Sequence, residues 1–176
     1  LIDYREGASL LSPQSLSSKV ETDGKGYIYG LEFMVKRSVG KVNGWLAYTF
    51  SKNMRKFDQI NNGNWYPFKF DRTHDISLVL NFKINDRIDV SATWVYMTGN
   101  AFSLAQGQYE YLEPMHTNSY IGYDPSNNTA HLYNGKNSVR LPAYHRLDIG
   151  ANFSKQKKRG VRIWNVSIYN VYNRQN

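Results

Sequence analysis

The sequence predicts an all-β fold, an antiparallel up-and-down sheet of about six strands that forms part of the wall of a transmembrane β-barrel. Three observations predict it. Apolar and polar residues alternate singly along six segments, which is the period of a strand whose side chains point to opposite faces. The connections between these segments come in two lengths, short and long, as in a meander that crosses a bilayer. Aromatic residues, from a total of 14 Tyr, 8 Phe and 4 Trp in 176 residues, stand at the ends of the apolar faces and leave their centres to aliphatic side chains.

The strands follow in order. Tyr27, Tyr29, Leu31, Phe33 and Val35 share one parity, against Gly30, Glu32, Met34 and Lys36. Leu46, Tyr48 and Phe50 oppose Ala47, Thr49 and Ser51. Ile76, Leu78, Leu80, Phe82 and Ile84 oppose Asp75, Ser77, Asn81 and Lys83. Ile88, Val90, Ala92, Trp94 and Tyr96 oppose Asp89, Ser91 and Thr93. Leu147, Ile149, Ala151 and Phe153 face away from Arg146, Asp148, Gly150 and Asn152. Trp164, Val166, Ile168 and Tyr172 oppose Asn165, Ser167 and Tyr169, and Leu1–Tyr4 adds a stub. Hairpin turns rich in Gly, Asn, Asp and Lys fit Val39–Gly44, Asn85–Arg87 and Lys155–Gly160. Long polar connections cover roughly 20 residues around 53–72 and roughly 40 around 99–142, lengths uncommon inside a compact soluble domain.

Charge placement selects the solvent. The central parts of the six apolar faces carry no Asp, Glu, Lys or Arg, whereas the opposite faces hold Glu32, Lys36, Asp75, Lys83, Asp89, Arg146 and Asp148. Tyr27, Tyr29, Phe50, Trp94, Tyr96 and Tyr172 lie toward the long connections, and Phe33, Phe82, Phe153 and Trp164 toward the short ones. Two aromatic belts around an aliphatic band match the outer surface of a membrane barrel. Asn170 is an exception on that face, and Arg162 shares it at the short-turn end, where its stem can snorkel. Backbone groups in a bilayer must all be paired, so the sheet must close, and six strands fall short of the roughly eight in the smallest such barrels. The chain is therefore expected to be a piece of a larger wall.

Composition narrows the alternatives. Lys and Arg number 22 against 14 Asp and Glu, a net charge of +8, and there is no Cys, which removes thiol chemistry, disulfides and zinc–thiolate centres. The longest apolar runs are four residues, Trp45–Tyr48 and Trp94–Met97, far below the roughly 20 of a helical span. The first residues do not have the pattern of a secretory signal. A mean hydropathy of −0.59 would suit a soluble basic β-domain that binds nucleic acid, the second reading. Against it, much of the excess charge sits in the short turns and not on one aromatic-bearing face.

Several runs occur in a characteristic order: Gly30-Leu-Glu32; Gly44-Trp-Leu-Ala-Tyr-Thr-Phe-Ser51 with Arg55 after it; Phe70-Asp-Arg-Thr-His74; Arg140-Leu-Pro-Ala-Tyr-His-Arg-Leu-Asp148; and Trp164-Asn-Val-Ser-Ile-Tyr-Asn-Val-Tyr-Asn173. Together they resemble the C-terminal barrel of TonB-dependent outer-membrane receptors, of the Bacteroidetes type with a carboxypeptidase-like N-terminal domain. The resemblance covers nearly everything from Gly26 onward. It implies a 22-stranded barrel in the bacterial outer membrane, of which residues 1–176 are a C-terminal fragment without plug domain or last strand. It also implies TonB-dependent uptake of a nutrient: a siderophore, cobalamin, an oligosaccharide or a peptide. The implied partners are the TonB–ExbB–ExbD system, reached through the missing N-terminal part, outer-membrane lipid, a surface lipoprotein over the loops and the small-molecule or glycan ligand. Nucleic acid is not among them.

Candidate ligand contacts are the loop aromatics Trp65, Tyr66, Phe68, Tyr109, Tyr111, Tyr120, Tyr123 and Tyr133, whose faces and hydroxyls suit sugar rings or flat chelates. Packing of the loops against each other is the plainer role. Candidate lumen-facing polar residues are Glu32, Asp75, Lys83, Asp89, Arg146 and Asp148, with cross-strand ion pairing as the plainer role. Asp71-Arg-Thr-His74 is expected to fix a loop-to-strand junction. No catalytic residue, cofactor or metal site is expected. His74, His116, His131 and His145 have no metal-ligand spacing, Gly24-Lys-Gly26 opens a strand and does not follow one, and Asp124, Asn127 and Asn128 fit an Asx-rich turn as well as a calcium loop.

Overall fold

A computed structural model describes residues 1–4, 20–110 and 129–175. Its elements are β1 (Asp3–Tyr4), β2 (Val20–Glu21), β3 (Lys25–Arg37), β4 (Val42–Lys56), a 3-10 turn (Asn61–Gly63), β5 (Tyr66–Pro67), β6 (His74–Lys83), β7 (Ile88–Met97), β8 (Ala101–Phe102), β9 (Ala105–Glu110), β10 (Thr129–Tyr133), β11 (Val139–Arg140), β12 (Tyr144–Lys157) and β13 (Gly160–Ile168). Except that β6 stops before Ile84 and β13 stops at Ile168, where Asn170 at positive φ turns the chain and leaves Tyr172 outside the strand, the six alternating segments form the long strands β3, β4, β6, β7, β12 and β13. These are neighbours in one sheet in the order β13-β12-β7-β6-β4-β3, with β5 alongside β4. Chain order and spatial order therefore coincide, and β13–β12, β12–β7, β7–β6, β6–β4 and β4–β5 are antiparallel pairs.

The chain divides into two compact units. One, the sheet unit, comprises Ile28–Asn53, Phe70–Asn100 and Leu141–Asn176; the other, the loop unit, comprises Leu1–Tyr27, Met54–Lys69 and Ala101–Arg140.

In the sheet unit, register turns single-strand alternation into rungs of uniform polarity. Val42, Phe82, Val90, Ala151 and Val166 stand side by side across five strands, as do Leu46, Leu78, Trp94 and Leu147 across four. The intervening rungs fall on the opposite face: Asn43, Asn81, Ser91, Gly150 and Ser167 form one of them. That face also carries apolar residues, among them the paired Trp45 and Val79, Val95 beside Ser77 and Arg146, and Ile163 opposite Ser154, departures the alternation did not announce. Within the sheet unit, no described residue forms a second layer over the apolar face. The buried apolar side chains among the described residues are Phe57, Ile60, Tyr66 and Ala101, all in the loop unit, whereas in the sheet Leu80 is 41 % and Val166 61 % exposed.

The loop unit shows what hydropathy could not. Strand β4 runs on to Lys56, five residues beyond Ser51, because β5 continues its ladder through Met54–Pro67 and Arg55–Tyr66 pairs. The longer connection contains the β9–β10 hairpin and the β8–β11 pair. The Leu1–Tyr4 stub does not join the main sheet; Asp3 and Tyr4 pair with Glu21 and Val20. Backbone hydrogen bonds, indifferent to side-chain polarity, carry these pairings, so polar strands there escape a hydropathy pattern. Phe57, Ile60 and Tyr66 form a small core, and Asn61 and Asn62 beside it take positive φ, which Asn tolerates better than most residues.

Gly44 allows β4 and β6 to approach. Its φ is +150°, and a Cβ there would lie 2.0 Å from the Val79 carbonyl oxygen. That neighbour is backbone and cannot swing aside. Gly44→Ala is expected to destabilise the folded protein in detergent micelles by about 1–3 kcal/mol or more, read as a lower urea midpoint by tryptophan fluorescence, with Ala47→Gly on the same strand changing it far less.

Candidate functional site

Two groups of residues were singled out by the sequence, and they lie in different units. In the loop unit, Tyr66 is buried at 1 % exposure, its ring 6.5 Å from that of Phe57 and its hydroxyl donating to Asp3 Oδ2 at 2.9 Å. Its place is in the packing of the loops. Trp65 next to it is exposed, with its ring 4.8 Å from Tyr27 at a tilt of 57°. Alternation along the extended chain at β5 turns one aromatic in and its neighbour out. The Arg55 guanidinium sits 3.5 Å from the centre of the Phe68 ring, a cation–π contact. Tyr109 is exposed on β9 opposite Ala130, while Tyr133 on β10 stands opposite Ala105 beside the His131 ring. Four residues of strand, roughly 13 Å, separate the two tyrosines along the hairpin. Tyr111, Tyr120 and Tyr123 lie outside the described residues, as do His116, Asp124, Asn127 and Asn128.

Asp3, which no motif marked, is the hub of the loop unit. Besides Tyr66 its carboxylate faces Arg55 Nη1 at 3.8 Å and Lys136 Nζ at 3.6 Å, and it accepts from the Tyr4 N–H at 2.8 Å. Lys136 also donates to the Tyr4 carbonyl, and buried Asn137 donates from Nδ2 to the Pro67 carbonyl at 2.8 Å. One carboxylate thus ties residues from four separated stretches, a relation only the folded chain creates.

On the polar face of the sheet unit, Arg146 and Asp148 pair two residues apart, with Nε and Nη2 each 3.0 Å from Asp148 Oδ2. Arg146 Nη1 donates to the hydroxyls of Tyr144 at 3.0 Å and Tyr169 at 2.6 Å, and its guanidinium lies over the Tyr169 ring at 4.2 Å. Asp148 Oδ1 accepts from the Asn170 N–H at 2.9 Å. Asn170 has φ +54°, and its side chain closes a loop with the Arg174 backbone, which explains a polar residue at an expected apolar position. Tyr144, His145, Arg146, Tyr169, Asn170 and Arg174 enclose a cavity of about 60 Å³, too small for a nutrient. Asp89 accepts from Asn152 at 2.7 Å, and Asn152 in turn accepts from Asn165 at 2.7 Å, a polar rung across three strands. Lys83 is the cross-strand neighbour of Asp89 but pairs with Asp86 at 2.8 Å, and this ammonium holds the Asp86 carboxyl below the usual carboxylate range. Asp75 stands between Thr49 and Met97, and Glu32 is exposed on β3. Several of the acid and base groups on this face are thus engaged with one another. Among the described residues, no three His, Asp or Glu side chains converge to hold a metal.

The Asp71–His74 run forms a dense junction. Asp71 is fully buried, and its Oδ1 accepts from the Asn53 N–H at 2.6 Å. Ser51 donates from its N–H to Thr73 O at 3.1 Å and from Oγ to Arg72 O at 2.7 Å. Arg72 Nε donates to Asn100 Oδ1 at 3.1 Å, the His74 N–H to Thr98 Oγ1 at 3.1 Å, and the Tyr48 hydroxyl is hydrogen-bonded to His74 Nδ1 at 2.9 Å. Asp71→Ala leaves the half-buried Asn53 N–H without this acceptor and is expected to cost about 1–3 kcal/mol in urea denaturation. Asp71→Asn, which keeps an acceptor oxygen, should recover part of that loss.

No family model, curated protein or solved structure matches this chain.

Proposed function

We propose that this chain is a segment of the wall of a TonB-dependent importer in the bacterial outer membrane, of the 22-stranded type. Its apolar face meets lipid and its polar face lines the lumen. One observation supports the reading: within the sheet unit no described residue covers the apolar face, and its height suits a membrane band. From His145, in the rung of Tyr48, Ile76 and Tyr96, to Phe153, in the rung of Ile88 and Trp164, β12 runs nine residues. A tilted strand crosses the hydrocarbon in roughly 9–11 residues. Fully removing one large apolar side chain from water is worth roughly 1.5–3 kcal/mol, so rungs five strands wide left in water would forgo that contribution.

The importer assignment rests on the ordered sequence runs set out above. Exposed Trp65 and Tyr109 supply aromatic surface for a ligand on the loops, a role suited to loops held by a rigid scaffold. The nutrient would be a siderophore, cobalamin, an oligosaccharide or a peptide. Transport would require the plug and TonB-contacting segments of the intact receptor.

Because these 176 residues contain no Cys, a single cysteine introduced here is the only thiol of this segment and reports its accessibility. In intact cells or membranes, Leu80→Cys and Ile149→Cys are expected to resist a small, charged, membrane-impermeant thiol reagent until detergent is added. Asn81→Cys and Ser91→Cys, on the opposite face, should react as the lumen admits the reagent. Rapid labelling at Leu80→Cys and Ile149→Cys in the untreated membrane would refute lipid contact on that face.

A further inference from the structure

We propose that the outer surface of the β12–β13 hairpin is a binding site for the phosphate headgroup of an anionic glycerophospholipid in the leaflet on the short-turn side. The inference rests on the lipid-facing reading above and adds a specific recognition to it.

Register places Lys155 directly opposite Arg162, one outward-facing rung beyond the Phe153–Trp164 pair. Lys157 follows on the same face of β12. All three are exposed, as are Phe153 and Trp164. The opposite face is identified independently by the hydrogen bond between Asn152 and Asn165 and that between Asn152 and Asp89. Like charges directly across an antiparallel pair repel and destabilise it. The usual remedy, a neighbouring carboxylate, is missing from this stretch: no Asp or Glu occurs from Ile149 to Asn176, while five of the eight residues Lys155–Arg162 are basic. The adjacent turn does carry an acid, Asp86, but its carboxylate is engaged by Lys83 at 2.8 Å. The turn that has an acid thus pairs it locally, whereas the Lys155–Arg162 rung is left with cations only.

Depth specifies the counter-ion. An aromatic rung favours the boundary between hydrocarbon and headgroups. Two residues further along the strand, about 7 Å, the cations reach the phosphates. Short turns of outer-membrane barrels face the periplasm, so the occupant would be a phospholipid of that leaflet. A phosphate diester between Lys155 and Arg162 would relieve their repulsion, and Lys157 would add a third donor. No covalent step is involved.

Trp164 lies in the site and serves as the reporter. The protein is reconstituted in phosphatidylcholine vesicles containing brominated phosphatidylcholine or, at equal mole fraction, brominated phosphatidylglycerol. The fluorescence component lost in Trp164→Phe isolates the site. Brominated phosphatidylcholine should quench this component, and brominated phosphatidylglycerol should quench it more, with a relative association at least about fivefold higher, the preference of one basic side chain near an anionic surface. In the Lys155→Gln, Lys157→Gln, Arg162→Gln triple variant the two lipids should quench equally, with the phosphatidylcholine value unchanged. Equal quenching in the natural protein, or a preference that survives in the triple variant, overturns the headgroup site and leaves lipid contact standing. No quenching by either lipid overturns lipid contact itself. A fold-disrupting effect of the triple variant would show as a changed phosphatidylcholine value, and Lys155→Gln alone, which removes the directly opposed charge, then decides: an undiminished preference in it rejects the site.

Discussion

Cross-strand register is the constraint on which the rest of this protein depends. Each long strand alternates with period two, but only alignment makes five alternating strands into a sheet with one greasy and one wet face. The rung Val42, Phe82, Val90, Ala151 and Val166 and the neighbouring rung Asn43, Asn81, Ser91, Gly150 and Ser167 are one residue apart on every strand. A slip by one position in any strand would place asparagine among valines and valine among asparagines. The close approach at Gly44 and the hydrogen-bonded junction around Asp71 act at opposite ends of the β4–β6 ladder, and both hold it in that alignment.

The two units are held together by different physics. The sheet unit has no buried apolar side chain among its described residues; its cohesion comes from backbone ladders, from cross-strand contacts such as Phe153–Trp164, and from polar links such as Asp89–Asn152–Asn165. Such a layer is stable where a surrounding medium takes the apolar face, since hydrophobic stabilisation needs that surface removed from water. The loop unit has its own small core of Phe57, Ile60 and Tyr66 and an ionic clasp at Asp3. Loops packed in this way can present a side chain such as Trp65 in a defined direction, which recognition of a rigid ligand requires.

On the polar face, mutual engagement governs the chemistry. Arg146 is held by a carboxylate and two phenols, so its charge is paired and its donors are directed along the sheet. Hydrogen bonds from several partners to one guanidinium fix the side chains of this part of the face relative to one another. The Lys155–Arg162 rung differs because the chain from Ile149 onward supplies no acid, so the two cations stand opposite one another without a carboxylate from their own hairpin.

The amino-acid sequence by itself determined which segments become the long strands, which of their faces is apolar, and where the aromatic residues sit along them. Those properties are local: a period-two pattern is written within ten residues and needs no partner to be read. The pairing of Arg146 with Asp148 was visible for the same reason, two residues on one face of one strand. Only the tertiary structure decided that Tyr66 turns inward while Trp65 turns out, that β4 continues to Lys56, and that Asp3 joins Arg55, Tyr66 and Lys136. These depend on contacts between residues tens of positions apart and on backbone hydrogen bonds that carry no hydropathy signal. That no described residue of the sheet unit forms a second layer over the apolar face belongs to this class too. One strand's alternation is the same whether its greasy side meets another sheet or a different medium, and the difference lies in what the rest of the chain leaves uncovered.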